Sequence, residues 1–94
     1  MGKPEQEAAP SRTICVKVRF FAAPREALGI SELVLRLAEG ATVTDLIAYL
    51  VERYPLLRAY THFMNVAVNR TYVSMQTRLQ DGDEVACLPP VGGG

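Results

Sequence analysis

The sequence predicts an α+β domain, a mixed sheet with one main helix packed on one face. Three observations predict it. Apolar residues alternate at period two in two early segments, Thr13–Phe21 and Glu32–Leu37. One segment, Val43–Tyr54, switches to helical spacing. A late apolar run, Glu84–Leu88, follows a turn signal and is stopped by Pro89-Pro90.

In the first strand Ile14, Val16, Val18 and Phe20 alternate with Cys15, Lys17, Arg19 and Phe21, the pattern of a half-buried strand. Residues 22–29 read as a connecting loop, marked by Pro24 and Gly29. Leu33, Leu35 and Leu37 then alternate with Glu32, Val34 and Arg36 in a second strand, antiparallel to the first. Gly40 breaks the chain, and Thr42 with Asp45 has capping-box spacing. Behind it Val43, Leu46, Ile47, Leu50, Val51 and Tyr54 paint one face of a helix. Pro55 ends it, because a proline disfavours helical conformation in the residue before it.

Residues 56–62 read as a short helical turn, and Phe63–Val68 as a third strand ending at the turn Asn69-Arg70. Tyr72-Val73 reads as a short edge strand. Gln80-Asp81-Gly82-Asp83 is a turn, and the run after it is apolar enough to be a central strand. A mixed sheet with one helix on one face buries all these stripes together. With the last strand beside the first, this is the β-grasp, or ubiquitin-like, arrangement. The expected organisation is a disordered N-terminal tail over 1–12, a β-grasp domain over 13–88 and an extended C-terminal tail over 89–94.

Composition narrows the function. The chain has 94 residues, 49% hydrophobic and 21% charged, which suits one small domain with a modest core. Ten basic and ten acidic residues cancel, so no broad basic field points to nucleic acid. Eight of the ten basic residues are Arg, which read as scattered solvated surface. No apolar run is long enough to span a membrane, and the first residues lack a secretion signal. Cys15 and Cys87 lie in apolar strands and read as buried thiols, in keeping with a reducing cytosol. No metal-ligand pattern occurs, and the lone His62 has no placed catalytic partner. Asp81, Asp83 and Glu84 read as a solvated turn, with a docking patch for a basic partner as the alternative.

The unusual feature is Leu88-Pro89-Pro90-Val91-Gly92-Gly93-Gly94. A stiff Pro-Pro spacer followed by glycines can project roughly 15–20 Å from the strand. Residues without side chains can thread a narrow channel with backbone close to its walls. The carboxylate of Gly94 is a poor electrophile until a partner joins it to AMP. The mixed anhydride can then be attacked by sulfur or an amine, and glycine has no Cβ to hinder that attack.

Three stretches resemble molybdopterin synthase small subunits of the MoaD type, a family of ubiquitin-like sulfur carriers. Val18-Arg19-Phe20-Phe21-Ala22 with Arg25-Glu26 and Gly29 is similar to the family's first strand and loop. Val66-Ala67-Val68-Asn69 is similar to its middle strand and turn. Leu79-Gln80-Asp81-Gly82-Asp83-Glu84-Val85 leading to Pro89-Pro90-Val91-Gly92-Gly93-Gly94 is similar to its signature end. Two positions depart from the family: Ala27 stands where Leu is commoner, and Cys87 where an aromatic residue is.

The resemblance implies that this chain is not catalytic alone and binds no cofactor or metal itself. An E1-like enzyme would use ATP to adenylate Gly94, and a sulfur donor would convert it to a thiocarboxylate. The tail, Pro89, Pro90, Val91, Gly92 and Gly93, would insert into the large catalytic subunit of a heterotetramer. There it would give sulfur to cyclic pyranopterin monophosphate. Phe21 and Leu88 would pack against partners. The alternatives are a sulfur carrier for thiamine, cysteine or transfer RNA thiolation, a ubiquitin-like protein modifier, and a binding module with an inert tail.

Overall fold

A computed structural model of the chain describes residues 12–88. Of the expected tails, 1–12 and 89–94, residues 1–11 and Pro89–Gly94 lie outside the described residues, while the Arg12 carbonyl accepts the Glu39 N–H at 3.2 Å. The elements run β1 (Thr13–Phe20), α1 (Ala22–Leu28), β2 (Glu32–Ala38), α2 (Val43–Arg53), a 3₁₀ helix (Pro55–Tyr60), β3 (Asn65–Val68), β4 (Thr71–Tyr72) and β5 (Glu84–Leu88). The sheet order is β2-β1-β5-β3-β4. β1 is antiparallel to β2 and parallel to β5, and β5 is antiparallel to β3. The last strand is therefore central, as its apolar run predicts.

One face of the sheet carries the core. Val16, Val18 and Phe20 of β1, Val66 of β3, and Val85 and Cys87 of β5 are buried against Val43, Leu46, Ile47 and Leu50 of α2. Leu57 of the 3₁₀ helix is fully buried and closes one side. Capping sets where α2 begins: the Asp45 backbone N–H donates to Thr42 Oγ1 at 3.2 Å, and the Thr42 N–H donates to Asp45 Oδ2 at 2.9 Å. Pro55 opens the 3₁₀ helix, so the proline that stops α2 starts the next turn.

Four details differ from the sequence expectation, one of them small: the edge strand β4 is Thr71–Tyr72 and not Tyr72-Val73. The segment expected as a loop holds the short helix α1. Pro24 sits in its first turn, where a backbone N–H has no helical partner to lose, and Gly29 caps it with φ 70°. β3 begins at Asn65 rather than Phe63, because the preceding residues form turns. Cys15 is half-exposed on the face away from α2, so only Cys87 is a buried thiol. Burial pushes the Cys87 thiol up to about 12 and keeps it neutral.

Candidate functional site

The second face of the sheet is open, and strand alternation decides what it shows. Arg19 of β1 faces Ala86 of β5, Ala86 faces Ala67 of β3, and Ala67 faces Tyr72 of β4. Two alanines in the middle of this row leave a shallow trough between larger neighbours. The result is a cavity of about 290 Å³ lined by Arg19, Phe21, Ala67, Arg70, Tyr72, Glu84, Ala86 and Leu88. Apolar walls with a few polar groups are the usual make-up of a recognition surface.

Phe21 and Leu88, the two residues expected to meet partners, both line this trough. The parallel register places Phe20 beside Cys87, so Phe21 and Leu88 follow side by side on the outer face. Phe21 is extended at φ −131° and ψ 156°, and the chain then turns sharply at Ala22, which has φ 55°. A left-handed alanine costs roughly 1–2 kcal/mol. The corner leaves the Phe21 ring on the trough instead of letting it follow α1.

The charges are placed with equal economy. Arg19 Nη1 lies 3.1 Å from Glu84 Oε2, and its guanidinium carbon is 5.7 Å from the Phe21 ring centre. The Arg19 side chain is thus held between a carboxylate and an aromatic face. Arg70 has no ion-pair partner among the described residues. It sits in the two-residue turn between β3 and β4 with Asn69, at φ 73° and 50° respectively. Two positive φ values mark the type I′ hairpin turn, whose second position favours glycine. Arginine there is strained, and it lines the trough.

The acidic turn is mostly committed to holding this hairpin. Asp83 is buried; its Oδ2 accepts the Gln80 N–H at 2.8 Å and its Oδ1 accepts Asn69 Nδ2 at 2.9 Å. Asn69 Oδ1 in turn accepts the Glu84 N–H at 3.0 Å. Asp81 Oδ1 accepts the Cys15 N–H at 2.7 Å. Both carboxylates bond the fold's own backbone and Asp83 also bonds the Asn69 side chain, which favours the turn reading over a docking patch, although Asp83 is buried where a solvated turn is expected. His62 is exposed, and the described residues include no group of three His, Cys, Asp or Glu that could hold a metal.

Sequence reasoning missed Arg70, Tyr72, Ala67 and Ala86 as trough residues. Alternation across β5 puts 84, 86 and 88 on one face, and that signal was available. The pairing of β3 with β5, which brings Ala67 alongside, is long-range and leaves no local mark.

A β-grasp sheet with its helix on one face and an apolar trough on the other defines the chain as a ubiquitin-like protein. The profile of the ThiS family matches residues 18–94, and the chain belongs to that family. It is 40% identical over 81 residues to the molybdopterin synthase sulfur carrier subunit of Chlamydomonas reinhardtii, covering 84% of this chain and 98% of the relative. Among solved structures, small archaeal modifier protein 1 of H. volcanii superposes with a TM-score of 0.74 at 28% identity, covering 83% of this chain and 99% of that one. A chain from the complex of subunits 1 and 2 of molybdopterin-converting factor from Helicobacter pylori superposes with a TM-score of 0.64 at 28% identity. It covers 86% of this chain and all of that one.

Proposed function

We propose that the chain is the sulfur carrier subunit of molybdopterin synthase, with the carboxylate of Gly94 as the carrying group. The observation that supports it is the position of Leu88. This residue lines the apolar trough and directly precedes Pro89-Pro90-Val91-Gly92-Gly93-Gly94. A partner that covers the trough therefore meets the root of the tail.

The reaction sequence follows from carboxylate chemistry. A Gly94 oxygen attacks the α-phosphorus of ATP on an E1-like enzyme, and pyrophosphate leaves. Sulfur released by a donor as hydrosulfide then attacks the acyl carbon, AMP and a proton leave, and the thiocarboxylate results. The tail enters the large subunit, which supplies the catalytic groups, and the sulfur passes to cyclic pyranopterin monophosphate. Two sulfurs are needed per product, in keeping with two small subunits in a heterotetramer. This chain contributes the docking face and the reach, while ATP stays with the activating partner. The setting is the cytosol.

Reconstitution tests the reading. The full chain, an activating enzyme with ATP and a sulfur donor, the large subunit and the pterin precursor should yield molybdopterin. A chain lacking Gly93 and Gly94 should give none while keeping its circular dichroism and melting temperature. Undiminished product from the truncated chain contradicts the proposal. The likeness to a small archaeal modifier favours a second reading, conjugation of Gly94 to lysines. It predicts isopeptide-linked adducts in place of molybdopterin.

A further inference from the structure

β2 is an edge strand, and its open side is self-complementary. The Phe20 N–H donates to the Ser31 carbonyl at 2.9 Å and the Glu39 N–H to the Arg12 carbonyl at 3.2 Å. Antiparallel alternation then spends the backbone groups of Leu33, Leu35 and Leu37 on β1. Those of Glu32, Val34, Arg36 and Ala38 point to the open edge. No described strand pairs there, and β2 holds neither proline nor glycine. Edges of this length are normally blocked by charged side chains, prolines or bulges, and the two charges on this edge, Glu32 and Arg36, are of opposite sign.

The side chains of these same residues also lie together, on the face away from α2. Val34 is 63% exposed and sits midway between Glu32 and Arg36. Consider a second copy added antiparallel about a two-fold axis through Val34. Val34 then faces its own symmetry mate, Glu32 faces Arg36 of the second copy, and Arg36 faces its Glu32. All three pairs use residues whose N–H and C=O groups are open, so each can exchange two backbone hydrogen bonds. Opposite charges face each other at both ends, around an exposed β-branched pair. Slipping the register to centre on Glu32 or Arg36 sets like charges face to face. Centring it on Leu33 or Leu35 leaves both charges facing uncharged residues. One register alone is favoured.

We infer that this edge is a homotypic pairing surface, on which two copies of the chain join β2 to β2 into a continuous ten-stranded sheet. Lys17 Nζ lies 3.6 Å from Glu32 Oε2, so the carboxylate would sit between Lys17 of its own chain and Arg36 of the partner. Arg36 spends one nitrogen on Thr13 Oγ1 at 3.2 Å and keeps the rest of its fork. The half-buried Leu33 and Leu35 extend the apolar layer of the opposite face across the join. The trough at Phe21 and Leu88 lies over the other strands and stays open in the pair. An interface of one strand is small, so the association is weak and concentration-dependent.

Charge exchange tests it on the full chain. Sedimentation velocity from about 10 µM to about 1 mM should show a reversible monomer–dimer equilibrium. E32R alone and R36E alone should each weaken self-association at least tenfold, since each sets like charges opposite one another. The double variant E32R/R36E should restore it. A mixture of the two single variants should form heterodimers, because one carries two arginines on this face and the other two glutamates. Val34→Pro removes an N–H that faces only the open edge, so it should keep the circular dichroism of the parent and abolish pairing. A chain that stays monomeric throughout this range overturns the inference. So does a double variant no better than the singles, or dimerisation that survives Val34→Pro.

Discussion

The two faces of the sheet use the same strands for opposite purposes. Facing α2, the residues of β1 and β5 are apolar and buried: Ile14, Val16, Val18, Phe20, Val85 and Cys87. Facing outward, the same two strands carry Lys17, Arg19, Glu84, Ala86 and Leu88, and Ala86 with Ala67 of the neighbouring β3 hollows the surface. The pleat separates stability from recognition residue by residue. The strain follows the same division, because left-handed Ala22 and Arg70 both serve the outer face. Strained backbone persists where the surrounding structure holds it for a purpose.

Adjacent phenylalanines give the sharpest test of that division. Phe20→Ala should cost about 3–5 kcal/mol in urea unfolding, since Phe20 is buried at the centre of the core. Phe21→Ala should cost under about 1 kcal/mol of stability yet weaken binding to the large subunit by roughly 30-fold, as for a half-buried anchor residue outside the core. Equal effects from the two would break the comparison. Next in size is Asp83→Ala. It strands the Gln80 N–H and the Asn69 amide, and should cost about 1–3 kcal/mol in the same measurement.

Cys87 belongs to the inner face, and pH probes it. Its folded value near 12 stands above the ordinary 9.0, so the folded state holds the proton longer than the unfolded chain does. This share of stability is intact below about pH 9 and is lost progressively as the pH climbs towards 12. Unfolding curves across that range should fall more steeply for the parent than for Cys87→Ala. The smallest effect is expected at Arg70→Gly. Relieving the positive φ should add about 0.5–1 kcal/mol, a gain set against weaker partner binding from the lost trough arginine.

Much of the fold was legible because its determinants are local. The α2 stripe, its Thr42–Asp45 box and the β5 run with its proline stop are readable within a dozen residues. α1 was not, because Pro24 and Gly29 mark a loop and a short capped helix alike. Phe21 and Leu88 came from family resemblance, and their meeting in one trough depends on a parallel pairing across most of the chain. Arg70 was read only as part of a turn. Its importance follows from an unfavourable φ and a position beside the trough, neither of which periodicity reports.

The central claim is that the outer face delivers an activated Gly94 to a partner. Intact-mass spectrometry after incubation with an E1-like activating enzyme, ATP and a sulfur donor tests it most directly. The account predicts a mass gain equal to exchange of one oxygen for sulfur, localised to the terminal peptide and absent when ATP is withheld. An unchanged mass, with the same enzyme competent on an established carrier, would contradict it.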